Sequence, residues 1–208
     1  MKEILYKIVK IGLANLLLIG LLFVVFEGGA SLYFAYRDAQ KEIEKEPLLA
    51  ERLHTEYDPL LGWINKPNVS IDHMYSPNVF LKTNSQRFRN QNDFTAKVPK
   101  GRIRAICSGN SFTFGFGVDN DHTWCRLLET IDPRFQTVNM GQGGYGIGQA
   151  YLWYKRDGAQ LDHDVQVFAF ITHGFLRMMS EIFLGTPKPI LRMRNGEISV
   201  ENVPVTRL

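Results

Sequence analysis

The chain has 208 residues, of which 45% are hydrophobic and 22% are charged, and its formal net charge is +3. This composition is typical of a globular protein and excludes a chain that is disordered throughout. Basic and acidic residues are interspersed, so the chain lacks the clustered positive charge of a nucleic-acid-binding protein, and we expect no nucleic-acid partner.

The first predicted element is an apolar helix near the N-terminus. Residues 11–26 carry no charge, and residues 27–36 extend the apolar run. Because an α-helix rises about 1.5 Å per residue, roughly 20 such residues span the hydrocarbon core of a membrane. We expect residues 1–36 to form a transmembrane anchor that contacts the lipid bilayer through residues 11–36. A cleaved signal peptide is the alternative, although its apolar region is normally about 7–15 residues long.

The charges beside this helix predict its orientation. Lys2, Lys7 and Lys10 precede the apolar run, and charges of mixed sign follow it. The positive-inside rule then places the N-terminus in the cytoplasm and the bulk of the chain outside. In a two-membrane bacterium, this means the inner (cytoplasmic) membrane and a periplasmic domain. Glu27 is predicted either at the membrane interface or in a polar contact with another membrane-protein subunit.

The segment that follows is predicted to lead into the main domain. Residues 37–56 are mostly polar and indicate a juxtamembrane stalk. Residues 57–100 form an irregular lead-in, in which residues 57–70 are rich in Pro, Gly and Asn and predict mostly turns. Residues 83–93 are polar and predict a further loop.

Residues 101–208 show the pattern of an α/β domain. Strands alternate with helices at 102–107, 121–131, 135–140, 149–158 and 164–171. This alternation predicts a parallel sheet covered by helices on both faces. Asn195 and Gly196 separate two further β-like runs and predict a hairpin within residues 190–200. Three parallel strands and a hairpin make a thin sheet, so we expect the domain to be partial.

Candidate chemistry lies after the three predicted strands, at residues 109–117, 141–148 and 172–175. The carboxyl ends of parallel strands meet at one edge of a sheet, where open sheets bind ligands. Ser111, after the first strand, can attack a carbonyl group once a base activates it. Glycines after the second strand allow a backbone N–H to approach a developing oxyanion.

Three blocks of the sequence, at residues 108–124, 138–149 and 167–175, resemble the SGNH (GDSL-like) hydrolases in their membrane-anchored bacterial form. Residues 57–68 and 83–89 are similar to the leader of such proteins. The resemblance implies a three-layer α/β/α, flavodoxin-like parallel sheet. It also implies hydrolysis or transfer of esters, often of acyl groups on carbohydrate.

The resemblance also implies roles for particular residues. Ser111 is expected to be the catalytic nucleophile, and the backbone N–H groups of Ser111 and Gly144 are expected to form part of the oxyanion hole. His173 aligns with a further hydrogen-bond donor of the family and is the weakest of these assignments. No cofactor and no metal ion is implied.

The sequence departs from the family pattern at three points. Asn110 stands where the family usually has an aspartate, and His173 and Gly174 stand where it usually has Asn and Asp. The catalytic Asp-x-x-His of the family lies near the end of a longer domain, and no histidine follows His173. His173 is therefore either a substitute base or a polar residue at a strand end.

One earlier pair, Asp119 and His122, has the Asp-x-x-His spacing. It lies only a few residues after Ser111 and leads into the next helix. We interpret this stretch as the start of that helix, capped by Asp121 or Thr123, rather than as a catalytic pair.

Two functions of different classes remain open. The departures favour a non-catalytic, structural or accessory subunit of a membrane complex that retains the SGNH-like fold. The alternative is a serine esterase or acyltransferase whose catalytic Asp and His lie beyond Leu208.

The two cysteines, Cys107 and Cys125, are too few for a disulfide framework or a zinc site. We interpret them as two small buried thiols, and a single disulfide is the alternative in an extracytoplasmic domain. His54, His73 and His163 are scattered and show no metal-ligand spacing.

Overall fold

The computed structural model of the protein describes residues 2–43 and 47–208. The chain divides into two compact units, Met1–Glu46 and Pro47–Leu208. The first unit holds one long helix, and the second holds the sheet and the remaining described elements. The stalk, lead-in and domain distinguished in the sequence stay predictions, but residues 57–100 and 101–208 lie in the same unit.

The first unit is helix α1 (Lys2–Ile43). Its portion Lys2–Arg37 has the length and composition of a helix that crosses a membrane. With 42 residues, the helix is about 63 Å long, roughly twice the thickness of a hydrocarbon core. The predicted long apolar helix is therefore confirmed, whereas the bilayer contact and the orientation stay predictions.

The second unit contains the remaining strands and helices. Its strands are β1 (Thr55–Asp58), β2 (Gly62–Asn65), β3 (Ser70–Ile71), β4 (Leu81–Lys82), β5 (Ile103–Gly109), β6 (Phe135–Gly141), β7 (Val165–Ala169), β8 (Ile182–Phe183), β9 (Thr186–Pro187), β10 (Ile190–Arg194) and β11 (Glu197–Glu201). Its helices are α2 (Ser111–Phe114), α3 (Trp124–Ile131), α4 (Ile147–Arg156) and α5 (His173–Met178). Short 3₁₀ turns at Asn120–His122 and Gly158–Gln160 precede α3 and follow α4.

The central sheet has three parallel strands in the order β6-β5-β7. Strand β5 pairs with β6 from Ile103 opposite Phe135 onward, and with β7 from Ala105 opposite Val165 onward. After its first residue β5 is buried throughout, as expected for a parallel strand with elements packed on both faces. The predicted parallel sheet is confirmed.

The hydrophobic core draws side chains from the sheet, from α4 and from the lead-in segment. The sheet and α4 contribute Ile106, Val138, Met140 and Trp153, and the lead-in contributes Leu61, Trp63, Ile64 and Phe88. Burial of each large apolar side chain is worth about 1.5–3 kcal/mol. The lead-in segment is thus an integral part of the core that supports the sheet.

Part of the stretch predicted as mostly turns is a β-hairpin. Strands β1 and β2 pair antiparallel, with Thr55 opposite Asn65 and Asp58 opposite Gly62. The Asp58 carboxylate accepts hydrogen bonds from the N–H groups of Leu60 and Leu61 at 2.9 and 2.8 Å, which closes the turn between the strands. The prediction for residues 57–70 therefore missed a hairpin.

The later elements agree more closely with the prediction. Strands β10 and β11 form the expected hairpin, and Asn195 and Gly196 in its turn have φ values of 53° and 83°. Two successive positive φ values are typical of the tight turns that join β-hairpins. Helix α3 begins at Trp124, three residues later than predicted, because a 3₁₀ turn occupies the preceding residues.

Candidate functional site

Ser111 lies at the corner where the central parallel strand turns into a helix. Strand β5 ends at Gly109, and Ser111 is the first residue of α2. Asn110 caps this helix, because its side-chain oxygen accepts a hydrogen bond from the Phe112 N–H at 3.0 Å. Asn110 is 4% exposed, so its amide serves a local structural purpose that an aspartate would also serve.

Two glycines let α2 lie directly against the ends of the strands. A Cβ atom at Gly141 would lie 1.9 Å from the backbone nitrogen of Phe114, and one at Gly109 would lie 2.2 Å from Thr113 Oγ1. Any larger side chain there would push α2 away from the sheet. The glycines therefore hold Ser111 close to the strand ends.

Ser111 lines an open cavity of about 260 Å³. Much of the wall is apolar, formed by Phe112, Phe116, Val118 and Trp124, and His122 also lines it. Small-molecule sites usually have volumes of about 300–1,000 Å³ and mainly apolar walls. This cavity is slightly smaller than that range, and its walls are mainly apolar.

A histidine and a carboxylate form a pair at this cavity. His122 Nδ1 lies 2.8 and 2.9 Å from the two carboxylate oxygens of Asp119. Burial tends to raise the pKa of Asp119, but hydrogen bonds from the His122 side chain and from the backbone of His122 and Asp121 outweigh it and lower the pKa. With Nδ1 bound to a carboxylate, Nε2 is the nitrogen left to accept a proton. The pair thus has the composition of a base and the group that orients it.

The structure corrects one detail of the predicted helix start. The Asp119 side chain, rather than that of Asp121, accepts hydrogen bonds from the N–H groups of Asp121 and His122 and caps the 3₁₀ turn. Thr123 then caps α3 by accepting from the Arg126 N–H at 3.3 Å. The predicted cap at Thr123 is confirmed, and the one at Asp121 is wrong.

The other residues implied by the resemblance follow the two outer strands. Gly144 lies beyond β6 with a φ of 81°, close to the side chains of Phe183 and Leu49. His173 is exposed and begins α5, beyond β7. Among the described residues that line the Ser111 cavity, neither Gly144 nor His173 occurs. The three residues share the carboxyl edge of the sheet, but Ser111 alone of them lines this cavity.

Sequence reasoning missed Arg89 as a residue of the site. Arg89 is 2% exposed and donates hydrogen bonds to the loop that follows Ser111. It also lines a second, polar cavity of about 340 Å³. The only signal in the sequence is an arginine inside a polar stretch that resembles a family leader, and this pattern carries no sign of burial.

The other candidate functional groups are the two cysteines and the possible metal ligands. Cys107 on β5 and Cys125 on α3 are buried free thiols, which confirms their interpretation, and burial raises the pKa of Cys125 well above its ordinary value. Within residues 2–43 and 47–208, no group of three or more His, Cys, Asp and Glu side chains is placed to hold a metal ion. The two thiols therefore belong to the packing of α3 against β5.

Comparison with known proteins assigns no family to the chain. A scan against models of protein families found no match, and a search of curated proteins found no relative. The resemblance to the SGNH hydrolases thus rests on the blocks at residues 108–124, 138–149 and 167–175, and it supports a proposal rather than an assignment.

Proposed function

We propose that this chain is a membrane-anchored protein of the SGNH hydrolase type, in which Ser111 attacks acyl esters as an esterase or acyltransferase. The observation that carries the proposal is the placement of Ser111. It begins a helix at the carboxyl end of the central parallel strand, and it lines an apolar cavity. Open parallel sheets bind their ligands at that edge.

The packing of β5 supports the three-layer arrangement of the SGNH fold. Successive residues of a strand face opposite sides of the sheet. Ile106 belongs to the same core cluster as Trp153 of α4, whereas Cys107 interacts with Cys125 of α3. Helices on both faces are what a three-layer α/β/α sheet requires.

The proposed reaction begins with attack of Ser111 Oγ on the carbonyl carbon of an ester while a base takes the hydroxyl proton. The carbonyl oxygen becomes an oxyanion, which the N–H groups of Ser111 and, by resemblance, Gly144 stabilise. Collapse of this intermediate returns the proton to the leaving alcohol and leaves the acyl group on Ser111. Water or a second hydroxyl group then accepts the acyl group.

The base has three candidate sources, which two substitutions separate. His122, paired with Asp119, lines the cavity of Ser111, whereas the resemblance implies a separate Asp-x-x-His pair. If His122→Gln abolishes the reactivity of Ser111, the base is His122, and unchanged reactivity leaves His173 and the separate pair. His173→Gln tests the remaining candidate, which is exposed at the same edge of the sheet.

The membrane part of the proposal rests on α1. The apolar portion Lys2–Arg37 supports an anchor that contacts lipid through residues 11–36. Lys2, Lys7 and Lys10 favour a cytoplasmic N-terminus, with the second unit extracytoplasmic and, in a two-membrane bacterium, periplasmic. A Ser70→Cys variant, changed at an exposed position, is treated with a membrane-impermeant thiol reagent in intact spheroplasts. Modification of the introduced thiol would support this orientation, and its protection would contradict it.

A structural or accessory role among other membrane-protein subunits is the second candidate, and Asn110 favours it. The family pattern has an acid at this position, and the amide here keeps the helix cap but carries no charge. In this role the SGNH-like unit would be a docking element, and Ser111 would have no substrate.

A serine-directed fluorophosphonate distinguishes the two candidates. The full chain in detergent is expected to be labelled at Ser111, and Ser111→Ala is expected to lose the label. Ser70→Ala, which removes an exposed serine outside the site, is the matched control and should keep it. An unlabelled wild-type chain that co-purifies stably with membrane proteins would overturn the ester chemistry in favour of the accessory role.

A further inference from the structure

Arg89 and Arg104 are two almost fully buried arginines in the second unit, 2% and 0% exposed. Burial of a guanidinium group is costly unless hydrogen bonds replace its water. The side chain of Arg89 makes its bonds to backbone carbonyl oxygens and to one side-chain amide. Hydrogen bonds to these backbone groups therefore replace the water that the Arg89 guanidinium group loses on burial.

All three guanidinium nitrogens of Arg89 donate to the loop that follows Ser111. Nη1 donates to the carbonyl oxygens of Phe114 and Gly115 at 2.5 and 2.6 Å, and Nη2 donates to that of Val118 at 2.5 Å. Nε donates to Asn120 Oδ1 at 3.1 Å. The guanidinium carbon also lies 4.7 Å from the centre of the Phe114 ring. One side chain thus binds residues 114–120 at four points.

The backbone of Arg89 is itself bound to the sheet. The Arg89 N–H donates to the Asn139 carbonyl oxygen at 3.0 Å. The neighbouring Asn90 side chain accepts from the Asn139 N–H and donates to the Thr137 carbonyl oxygen, each at 2.9 Å. Arg89 therefore connects the loop to β6, and its own backbone is held by β6.

The position of the bound carbonyls explains how Arg89 acts on Ser111. Phe114 ends α2, and Gly115 is its C-cap. The last carbonyl groups of a helix lack partners within it, and an arginine side chain can satisfy them. Ser111 begins the same single turn, about 4.5 Å from Phe114 along the helix axis. In so short a helix, whatever orients the last peptide groups also orients the first residue.

We propose that Arg89 is the positioning residue of the Ser111 site: by binding the carbonyl oxygens of Phe114, Gly115 and Val118, it holds α2 in the orientation that presents Ser111 to the substrate. The catalytic part of this inference rests on the proposed function of Ser111. A lysine cannot do the same, because its three donors share one atom, whereas guanidinium donors form a planar fork.

The test compares Arg89→Lys with Arg104→Lys in the full chain. Arg104 is the matched control, because it is equally buried and binds several carbonyl oxygens but at the opposite end of β5. The inactivation constants kinact and KI for a fluorophosphonate, and amide hydrogen exchange in residues 110–120, are measured for each variant.

In Arg89→Lys, kinact is expected to fall at least about tenfold with KI unchanged, because misplaced reacting groups slow bond formation more than binding. Exchange in residues 110–120 is expected to become faster. Arg104→Lys is expected to leave kinact, KI and the exchange in residues 110–120 as in the wild type. It is expected to speed exchange around residues 95–97 instead.

Wild-type kinact in Arg89→Lys overturns the inference, and so does an equal loss in both arginine variants, since that would reflect general destabilisation. If Arg89→Lys fails to fold, Asn120→Ala removes the acceptor of Nε together with the bonds of Asn120 to the backbone N–H and carbonyl of Lys82. A smaller fall in kinact is expected, and an unchanged kinact there overturns the inference as well. An unlabelled wild-type chain overturns the ester chemistry, and the exchange comparison then decides by itself whether Arg89 holds the loop.

Discussion

At each end of strand β5, the side chain of a buried arginine donates hydrogen bonds to backbone carbonyl oxygens. At the amino end, the side chain of Arg104 donates to the carbonyl oxygens of Thr95, Ala96, Lys97 and Asp162. At the carboxyl end, the side chain of Arg89 donates to those of Phe114, Gly115 and Val118. Arg104 lies in β5 itself and binds residues outside the sheet, whereas Arg89 is bound through its backbone to β6 and binds the loop that follows β5.

The charges around the two arginines differ. Burial lowers the pKa of Arg104, and the nearby Asp162 and Asp164 oppose that change. At the carboxyl end, burial lowers the pKa of Arg89 to about 10 in spite of Tyr75 and Asp119. Two carboxylates thus oppose the effect of burial on Arg104, whereas a tyrosine, one carboxylate and a cysteine oppose it on Arg89.

The largest expected loss of stability comes from Gly141→Ala, at the carboxyl edge of the sheet. Its Cβ atom would lie 1.9 Å from the backbone nitrogen of Phe114, so α2 must move, at a cost of about 3 kcal/mol or more. Urea unfolding of the full chain in detergent measures the loss. Gly143→Ala is the control, because a Cβ atom there meets nothing within 4 Å. Equal losses in the two variants would contradict the close packing of α2 on the strand end.

The pH dependence of stability is the next largest effect, and it originates at the carboxyl end. Burial, followed by the charges of Arg52, Arg89 and Lys66, lowers the pKa of His54 to about 4, against about 6.5 in an unfolded chain. The unfolded state therefore takes up the proton first. The contribution of neutral His54 is complete above pH ~6.5 and falls as the pH drops toward 4, by about 2 kcal/mol between pH ~7 and pH ~5.

His54→Phe tests this origin, because it keeps a ring where the imidazole stacks on Phe114 at 5.5 Å. The variant is expected to lack that part of the acid sensitivity. The free energy of unfolding at the two pH values, in the variant and the wild type, gives the difference. If the two proteins lose equal stability, the acid sensitivity of the carboxyl end comes from other groups.

The smallest effect expected concerns the cap of α2. Asn110→Ala removes the acceptor of the Phe112 N–H and should cost about 1 kcal/mol. Asn110→Asp keeps an acceptor oxygen and should unfold close to the wild type. Thermal unfolding of both variants measures the difference, and similar losses would show that the side chain of Asn110 has another role than capping.

The parallel sheet could be predicted because its signals are local. Strand β6 was expected at 135–140 and lies at Phe135–Gly141, since a short apolar run bounded by turn residues is enough to indicate a buried strand. The hairpin around Asn195 and Gly196 has an equally local signal. The same local signal predicts Ser111 directly after the end of β5, where it lies.

The contacts that build the candidate site were not predictable, because they join residues distant in the sequence. Arg89 binds groups 25 to 31 residues away, and a polar stretch around an arginine normally indicates a solvated loop. The position of His122 at the cavity that Ser111 also lines depends on how the chain folds back after α2. Its spacing from Asp119 indicated a helix start, and the structure shows the same carboxylate both capping a turn and binding the imidazole.

The free edge of β7 has a consequence for handling the protein. Within residues 47–208, β7 pairs with β5 alone, and it contains neither a charged residue nor a proline. Val165 at its start is 41% exposed, and Phe170 just beyond its end is 56% exposed. Charges and prolines are the usual means by which exposed strands avoid pairing with other chains. Concentrated solutions of this unit are therefore expected to aggregate edge to edge, and a lysine introduced on β7 should improve solubility.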